Sequence, residues 1–144
     1  MTCAFCTLSE LKQRQVAEND LAWAFLGNMP IVPGHTLISP KRCLPRYEDM
    51  SEHEMRAVEA LRVQVCDALR AVFDAEGFNF AWNDGEGCGQ SVPHFHLHIV
   101  PRKPGDAGIY SYEPRDFLYR PGERATTPEQ ELRDVAVLLA EHMA

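Results

Sequence analysis

The sequence lacks several features that would place the chain in a distinct class. No run of apolar residues is long enough to cross a bilayer, which argues against a membrane protein. Basic residues are not in excess, and a net charge of −7 argues against a partner held through a nucleic-acid backbone. Small phosphorylated ligands remain possible, because backbone N–H groups and a few local donors can hold them.

A secretion signal and a disulfide framework are also not expected. The first residues lack the basic and apolar regions of a signal peptide, so we expect a cytoplasmic protein. In a reducing compartment, the five cysteines are expected to be metal ligands or free thiols.

The chain is expected to form one domain over residues 1–144, because its length and its apolar content of 45% suffice for one core. Short apolar stretches that end at glycine or proline predict four strands. These strands are predicted at residues 21–26, 35–39, 78–82 and 94–100. Strands and helices do not alternate as in parallel βαβ units, so the expected fold class is α+β with an antiparallel sheet.

Two helices are predicted. Ser51 with Glu54 three positions later forms a capping-box signature, and apolar residues then recur at helical spacing. Gly77 is expected to end this long helix. A C-terminal helix is expected from Pro128 onward, and the proline-rich stretch 102–127 is expected to be irregular.

Three histidines, His94, His96 and His98, alternate along the last predicted strand, which is expected to end at Pro101. Side chains two positions apart in a strand share a face, roughly 6.5–7 Å from each other. Each imidazole carries a donor and an acceptor that apolar packing would leave unsatisfied. The row therefore indicates a functional site, built either for metal binding or for a nucleophilic histidine.

A glycine-rich loop precedes this strand. Gly85, Gly87 and Gly89 allow the backbone to approach a ligand and to present N–H groups to a phosphate. Gln90 and Ser91 add side-chain donors where the loop ends. Beside the histidine row, this loop indicates an anionic phosphorus centre held next to an imidazole.

The triad segment 94–100 resembles the histidine triad (HIT) family, whose pattern is His-x-His-x-His followed by apolar residues. The similarity extends to the segment 32–41, which contains Pro-Gly-His, and to the Gly-Gln-Ser of residues 89–91. It covers the chain from Cys3 to about Lys103. The tail, residues 107–144, carries no assigned motif.

The resemblance implies a HIT-like α+β fold in which two protomers form a homodimer with a continuous sheet. It also implies a nucleotide hydrolase or nucleotidyl transferase that acts on the α-phosphate of an adenine-type nucleotide and releases the monophosphate. By position, His96 is the nucleophile that becomes nucleotidylated, a role that suits a neutral imidazole. His98 would donate to the phosphoryl oxygens. Gln90, Ser91 and the Gly89 N–H would hold the phosphate and the leaving group.

The resemblance also implies contacts at the nucleoside end. Asn83 and His35 match polar positions that border the same pocket. Many family members hold the ribose hydroxyls with an acidic or amide residue eight positions before the histidine that matches His35. That position is Gly27 here, so we assign the ribose contact to the adjacent Asn28. The alternative is that Gly27 and Asn28 form only a turn.

A structural zinc site is predicted near the N-terminus. Cys3 and Cys6 have the two-residue gap that lets two thiolates bind one tetrahedral zinc. Several HIT proteins and the related galactose-1-phosphate uridylyltransferases complete such a pair with a histidine after the Pro-Lys segment and with the first triad histidine. Those positions are Cys43 and His94 here, and three thiolates with one imidazole form a closed zinc site. No organic cofactor is expected.

The substrate class stays open between diadenosine polyphosphates and nucleoside phosphoramidates. The segment 102–106 looks similar to the fragile-histidine-triad branch, which cleaves diadenosine polyphosphates. The branch that cleaves phosphoramidates looks more similar at Ser91 and at the pair formed by Cys3 and Cys6. In either case the partner is a small nucleotide, with no nucleic acid and no membrane.

Two other functions compete with this hypothesis. One is a purine-nucleotide-binding sensor or interaction module with little turnover, which would use the same pocket. The other is a zinc enzyme whose histidine row is itself the metal site, with an open coordination position. It would leave the glycine loop and the three cysteines unexplained.

Overall fold

The computed structural model of the protein describes residues 3–106 and 126–143. Residues 107–125, most of the stretch predicted to be irregular, lie outside the described residues. The helices are α1 (Ala4–Thr7), α2 (Glu10–Gln13), α3 (Glu52–Phe73) and α4 (Glu129–Glu141). The strands are β1 (Gln15–Glu18), β2 (Ala22–Leu26), β3 (Thr36–Pro40), β4 (Gly77–Ala81) and β5 (Leu97–Arg102).

The strands form one five-stranded sheet in the order β1-β2-β3-β5-β4. Every neighbouring pair is antiparallel, which confirms the predicted α+β class. Strand β1 was not predicted, because it is short and only Val16 in it is buried. Among the described residues, no helix is long and apolar enough to span a membrane.

Helix α3 starts as predicted and ends earlier. The Ser51 hydroxyl accepts from the Glu54 N–H, and the Ser51 N–H donates to the Glu54 carboxylate at 2.8 Å, so the capping box is confirmed. The helix ends at Phe73, and its C-cap residue Asp74 adopts a left-handed conformation with φ 56°. Aspartate tolerates this conformation, so Gly77 is not needed as a stop and instead begins β4.

The core lies between α3 and one face of the sheet. Alternate strand residues such as Leu26, Ile38 and Ile99 are buried there beside Leu61 and Leu69 of α3. The opposite face carries a second, smaller apolar cluster and is free of α3. Functional side chains are therefore expected on that second face.

Strand β5 differs from its predicted bounds at both ends. It begins at Leu97, so His94 and His96 precede it, and it continues through Pro101 to Arg102. Strand β3 pairs with β5 only between Leu97 and Ile99, and the Phe95 N–H donates to a loop carbonyl instead. Pro101 is tolerated because β3 no longer pairs with β5 at that point.

Candidate active site and metal centre

A cavity of about 220 Å³ lies on the face of the sheet away from α3. Its floor includes Phe25 of β2, Leu37 of β3 and His98 of β5, which are direct cross-strand neighbours. Leu97 and Ile99, on either side of His98, are buried in the core. Strand alternation therefore directs His98 into the cavity, as the sequence predicted for this residue.

Five predicted site residues meet on the wall of this cavity: Asn28, His35, Ser91, His96 and His98. They come from separate parts of the chain, and the sheet brings them together. The rest of the wall is largely apolar. A polar group of imidazoles beside an apolar wall suits a ligand with a charged end and a flat, apolar end.

The hydrogen bonds of His35 and His98 fix which nitrogens carry protons in the neutral rings. The Ile31 N–H donates to Nδ1 of His35 at 3.1 Å, so the His35 proton is on Nε2. His35 Nε2 lies 2.9 Å from Nδ1 of His98 and donates to it. The His98 proton is then on Nε2, which makes that nitrogen a donor.

In His96 the proton lies on Nδ1, whereas in His35 and His98 it lies on Nε2. Nδ1 of His96 lies 2.8 Å from the backbone oxygen of His94, and a carbonyl can only accept a hydrogen bond. Nδ1 therefore carries the proton, and the lone pair of the neutral ring is on Nε2. His96 is 7% exposed, so this lone pair sits in a largely desolvated ring.

Phe5 is a site residue that the sequence analysis missed. Its ring packs edge-on against His96, with centroids 5.0 Å apart, and also lies 5.8 Å from the His94 ring. It stands between Cys3 and Cys6, so the segment that carries the predicted metal ligands also positions the triad. No periodic signal marks a single aromatic residue in so short a helix.

The predicted glycine-rich loop is present, but fewer of its residues line the cavity than predicted. Gly85 and Gly89 have φ values of 103° and 101°, which favour glycine. The Gly89 N–H donates to the Glu86 carbonyl at 3.1 Å inside the loop. The Gln90 amide accepts from the Gly85 N–H at 2.7 Å and donates to the Pro45 carbonyl at 2.9 Å. These bonds hold the loop closed on itself.

Asn83, Gly89 and Gln90 are not among the residues that line the cavity. The structure therefore brings one predicted loop residue, Ser91, to the histidines and leaves these three outside. The hydrogen bonds of Gly89 and Gln90 could not be predicted from the sequence, because they join the loop to itself and to the distant Pro45 carbonyl.

The predicted metal ligands form one compact group. The ligand atoms of Cys3, Cys6, Cys43 and His94 all lie within 4.8 Å of one another. The Cys3 and Cys6 sulfurs are 3.4 Å and 3.6 Å from Nδ1 of His94. In a tetrahedral zinc site, sulfur and nitrogen ligands are separated by about 3.6 Å. The spacing of these atoms therefore fits zinc.

The tautomer of His94 also fits a metal ligand. Its Nε2 lies 2.6 Å from the Pro40 carbonyl, to which it donates, and this leaves the lone pair on Nδ1 facing the sulfurs. Burial lowers the pKa of His94, which keeps the ring neutral. Of the triad, only His94 belongs to this group, so the histidine row is divided between two sites.

The thiols of Cys6 and Cys43 are disfavoured from ionising, because burial raises the pKa of each. Desolvation and the hydrogen bonds of the neighbouring Cys3 and Cys43 thiols raise the pKa of Cys6 to about 12. Desolvation, followed by the Cys3 thiol, also raises the pKa of Cys43. A divalent cation reverses this effect, because it stabilises the coordinating thiolates.

The segment that carries Cys43 is attached to the start of α3. Arg42 donates to both carboxylate oxygens of Glu54, at 3.0 Å and 2.7 Å. These bonds, and those with Ser51, lower the pKa of Glu54 to about 2. The capping-box residue Glu54 thus also anchors Arg42, the neighbour of Cys43, to the start of α3.

Comparisons with known proteins agree with this geometry. The family model described as "HIT domain" matches residues 9–105 of this chain. Bis(5'-adenosyl)-triphosphatase of Dictyostelium discoideum is 33% identical over 109 residues, which are 76% of this chain and 70% of that protein. The asymmetrical bis(5'-nucleosyl)-tetraphosphatase of Schizosaccharomyces pombe is 36% identical over 69% of this chain and 52% of its own length.

Solved structures give the same result. A Zn-bound histidine triad family protein from Mycobacterium smegmatis superposes with a TM-score of 0.71 at 26% identity, over 98% of this chain and 95% of that one. A hypothetical histidine triad nucleotide-binding protein from Sulfolobus tokodaii shares the fold at a TM-score of 0.77 and 24% identity, over 97% of this chain and 91% of that one. The triad, its surrounding fold and these matches together establish that the chain belongs to the HIT domain family.

Proposed function

We propose that the chain hydrolyses a dinucleoside polyphosphate with an adenine-type nucleoside and releases the nucleoside monophosphate. The names of two relatives, a bis(5'-adenosyl)-triphosphatase and a bis(5'-nucleosyl)-tetraphosphatase, support this substrate class over phosphoramidates. Both substrate classes present an α-phosphorus that one histidine can attack.

The observation that carries the proposal is the fixed tautomer of His96. Its Nδ1–H is bound to the His94 carbonyl at 2.8 Å, so Nε2 holds the nucleophilic lone pair on the cavity wall. Attack forms a bond from Nε2 to the α-phosphorus and breaks the bond to the bridging oxygen. The displaced nucleotide leaves as an anion. Water then cleaves the phosphorus–nitrogen bond, releases the monophosphate and restores the imidazole.

His98 and Ser91 would stabilise the charge that develops on the phosphoryl group. The bond from His35 leaves His98 with its proton on Nε2, and this donor belongs to a residue of the cavity wall. Ser91 adds a hydroxyl on the same wall. Donors placed where charge develops are a large source of rate enhancement.

The remaining predicted substrate contacts stay part of this proposal. Asn28 lines the cavity and would hold the ribose. Gln90, Gly89 and Asn83 would act through the loop, where Gln90 and Gly89 hold the turn that presents Ser91. His35 would orient His98 rather than contact the substrate.

We also propose that Cys3, Cys6, Cys43 and His94 bind a structural zinc. Four protein ligands fill a tetrahedral zinc and leave no position for substrate, so the metal would contribute stability rather than a reaction step. The Zn-bound relative of known structure supports this assignment.

The proposed assembly is a homodimer in the cytoplasm. Strand β4 lies at one edge of the described sheet, and Phe80 in it is 43% exposed, so a second copy could extend the sheet there. The five cysteines are free, which suits a reducing compartment. Light scattering on the purified protein tests the dimer.

The proposed activity is tested by incubating the protein with diadenosine triphosphate or with adenosine 5'-phosphoramidate and separating the products. We expect AMP and ADP from the first substrate, and no turnover by His96→Ala. Nucleotide binding without turnover by the parent protein would instead support the sensor function.

A further inference from the structure

Arg14 is a buried arginine on the wall of the cavity that His96 and His98 line. It lies between α2 and β1, and its side chain is only 7% exposed. Its backbone N–H donates to the Leu11 carbonyl at 3.2 Å, and its own carbonyl accepts from the Leu26 N–H at 3.1 Å. Two secondary-structure elements thus fix its position.

The guanidinium of Arg14 is only partly satisfied. One terminal nitrogen donates to Glu129 of α4 at 3.2 Å. Its Nε is buried and has no hydrogen-bond partner among residues 3–106 and 126–143. Buried donors are almost always paired, because an unpaired donor costs its full desolvation energy. Because Arg14 also lines the cavity, a ligand bound there is the candidate to complete the bonding of its guanidinium.

A purely structural ion pair is the competing explanation. The second oxygen of Glu129 also has no hydrogen-bond partner within the described ranges. That explanation would make Arg14 a link between the sheet and α4. It does not explain why Arg14 lies on the same cavity wall as His96 and His98.

We propose that Arg14 is a specificity-determining residue that donates a hydrogen bond to the nucleobase of the bound nucleotide. This inference rests on the proposed nucleotide hydrolysis and adds the recognition of the base. The ligand class is a purine nucleotide, because a purine carries ring nitrogen acceptors on its outer edge that an arginine can reach.

The surroundings of Arg14 favour the base over a phosphate as its ligand. Arg14 is bonded to Leu11, which packs with Phe25 in the apolar cluster on this face of the sheet. A flat base fits against such a wall. The Glu129 carboxylate balances the guanidinium charge and would repel a phosphate placed beside it.

The test compares the binding of AMP with that of ribose 5-phosphate, which lacks the base, by isothermal titration of the full chain. In Arg14→Gln, we expect AMP affinity to fall about ten- to a hundredfold, as for a lost hydrogen bond from a charged donor. Ribose 5-phosphate affinity should change by less than about threefold. Glu129→Gln is the matched control, since it removes the ion pair and keeps Arg14 Nε, and it should preserve the ratio of the two affinities.

A second variant distinguishes the loss of the base contact from misfolding of the protein. Arg14→Lys keeps a positive charge beside Glu129 but cannot present a donor at the Nε position, so it should also lose AMP affinity selectively. Equal losses for AMP and ribose 5-phosphate, or an unchanged AMP affinity, would overturn the role of Arg14 alone. If the parent binds neither AMP nor other purine monophosphates, the proposed function and this inference both fail.

Discussion

The three histidines of the triad contribute to two regions of the molecule, a metal-ligand group and a cavity. On one side, His94 and three cysteines form a compact group whose ligand atoms lie within 4.8 Å of one another. On the other side, His96 and His98 line a cavity of about 220 Å³. The first region resembles a closed structural site, and the second has room for a ligand.

His94 links the two regions directly. The His94 ring faces the sulfurs, while its backbone oxygen accepts from Nδ1 of His96 at 2.8 Å. Whatever fixes His94 therefore fixes the tautomer of the proposed nucleophile. Changes in the cysteine group should therefore affect stability first, whereas changes in the cavity should affect rate first.

Removal of the proposed nucleophile should cause the largest loss of rate and only a small loss of stability. We expect His96→Ala to reduce kcat by about a thousandfold or more, because the covalent route is lost. Stability should fall by only about 1 kcal/mol, the typical net value of one hydrogen bond. Steady-state kinetics and urea unfolding measure the two effects. Comparable turnover in the variant would contradict the covalent mechanism.

Breaking the cysteine group should have the opposite effect. Cys43→Ala should lose most of the zinc measured by elemental analysis and lower stability by at least about 2 kcal/mol, because metal binding counts as folding energy. Cys43→His is the matched control, since an imidazole can replace the thiolate as a zinc ligand.

The metal assignment is open to a direct contradiction. If the parent protein, purified without added metal or chelator, carries no zinc and its Cys3 and Cys6 thiols titrate freely, the cysteine group is not a zinc site.

Loss of the His35 imidazole should have a smaller effect, confined to rate. His35→Ala removes the donor to Nδ1 of His98, so His98 can adopt the wrong tautomer. We expect kcat to fall about tenfold, as for the loss of one oriented hydrogen bond. Zinc content should be unchanged, which distinguishes this variant from Cys43→Ala. An unaltered pH–rate profile and kcat would show that His35 does not orient His98.

The smallest effect is expected where α3 supports the cysteine group. The pKa of Glu54 is lowered from 4.5 to about 2 by Arg42 and Ser51, so its contribution to stability is present above pH 4.5 and is lost as the pH falls toward 2. Glu54→Gln should cost about 1 kcal/mol near neutral pH, a typical value for a lost helix cap. The gap between parent and variant should close in acid, as followed by urea unfolding at several pH values.

Features with local causes could be predicted from the sequence. The capping box at Ser51 and the antiparallel α+β class depend on short-range patterns, and both are confirmed. The metal ligands could be proposed because Cys3, Cys6, Cys43 and His94 match a family pattern. Their convergence on one point is a property of the fold, which the structure supplies.

Features that depend on distant partners could not be predicted. Alternation alone extended the triad strand to His94, whereas the partner strand β3 stops pairing at Leu97. Gln90 reads as a phosphate donor until the structure shows its amide bonded to Gly85 and Pro45. Arg14 lies in an unpatterned stretch, and its place in the cavity depends on elements far along the chain.

The central claim is that Nε2 of His96 becomes covalently attached to the α-phosphorus. Intact-mass analysis of the protein trapped with a slowly hydrolysed diadenosine polyphosphate analogue tests it most directly. We expect a mass gain of one adenosine monophosphate, located by peptide mapping on the segment that holds His96 and missing in His96→Ala. Turnover of the analogue with no adduct at any time point, or an adduct on another residue, would contradict a covalent role for His96.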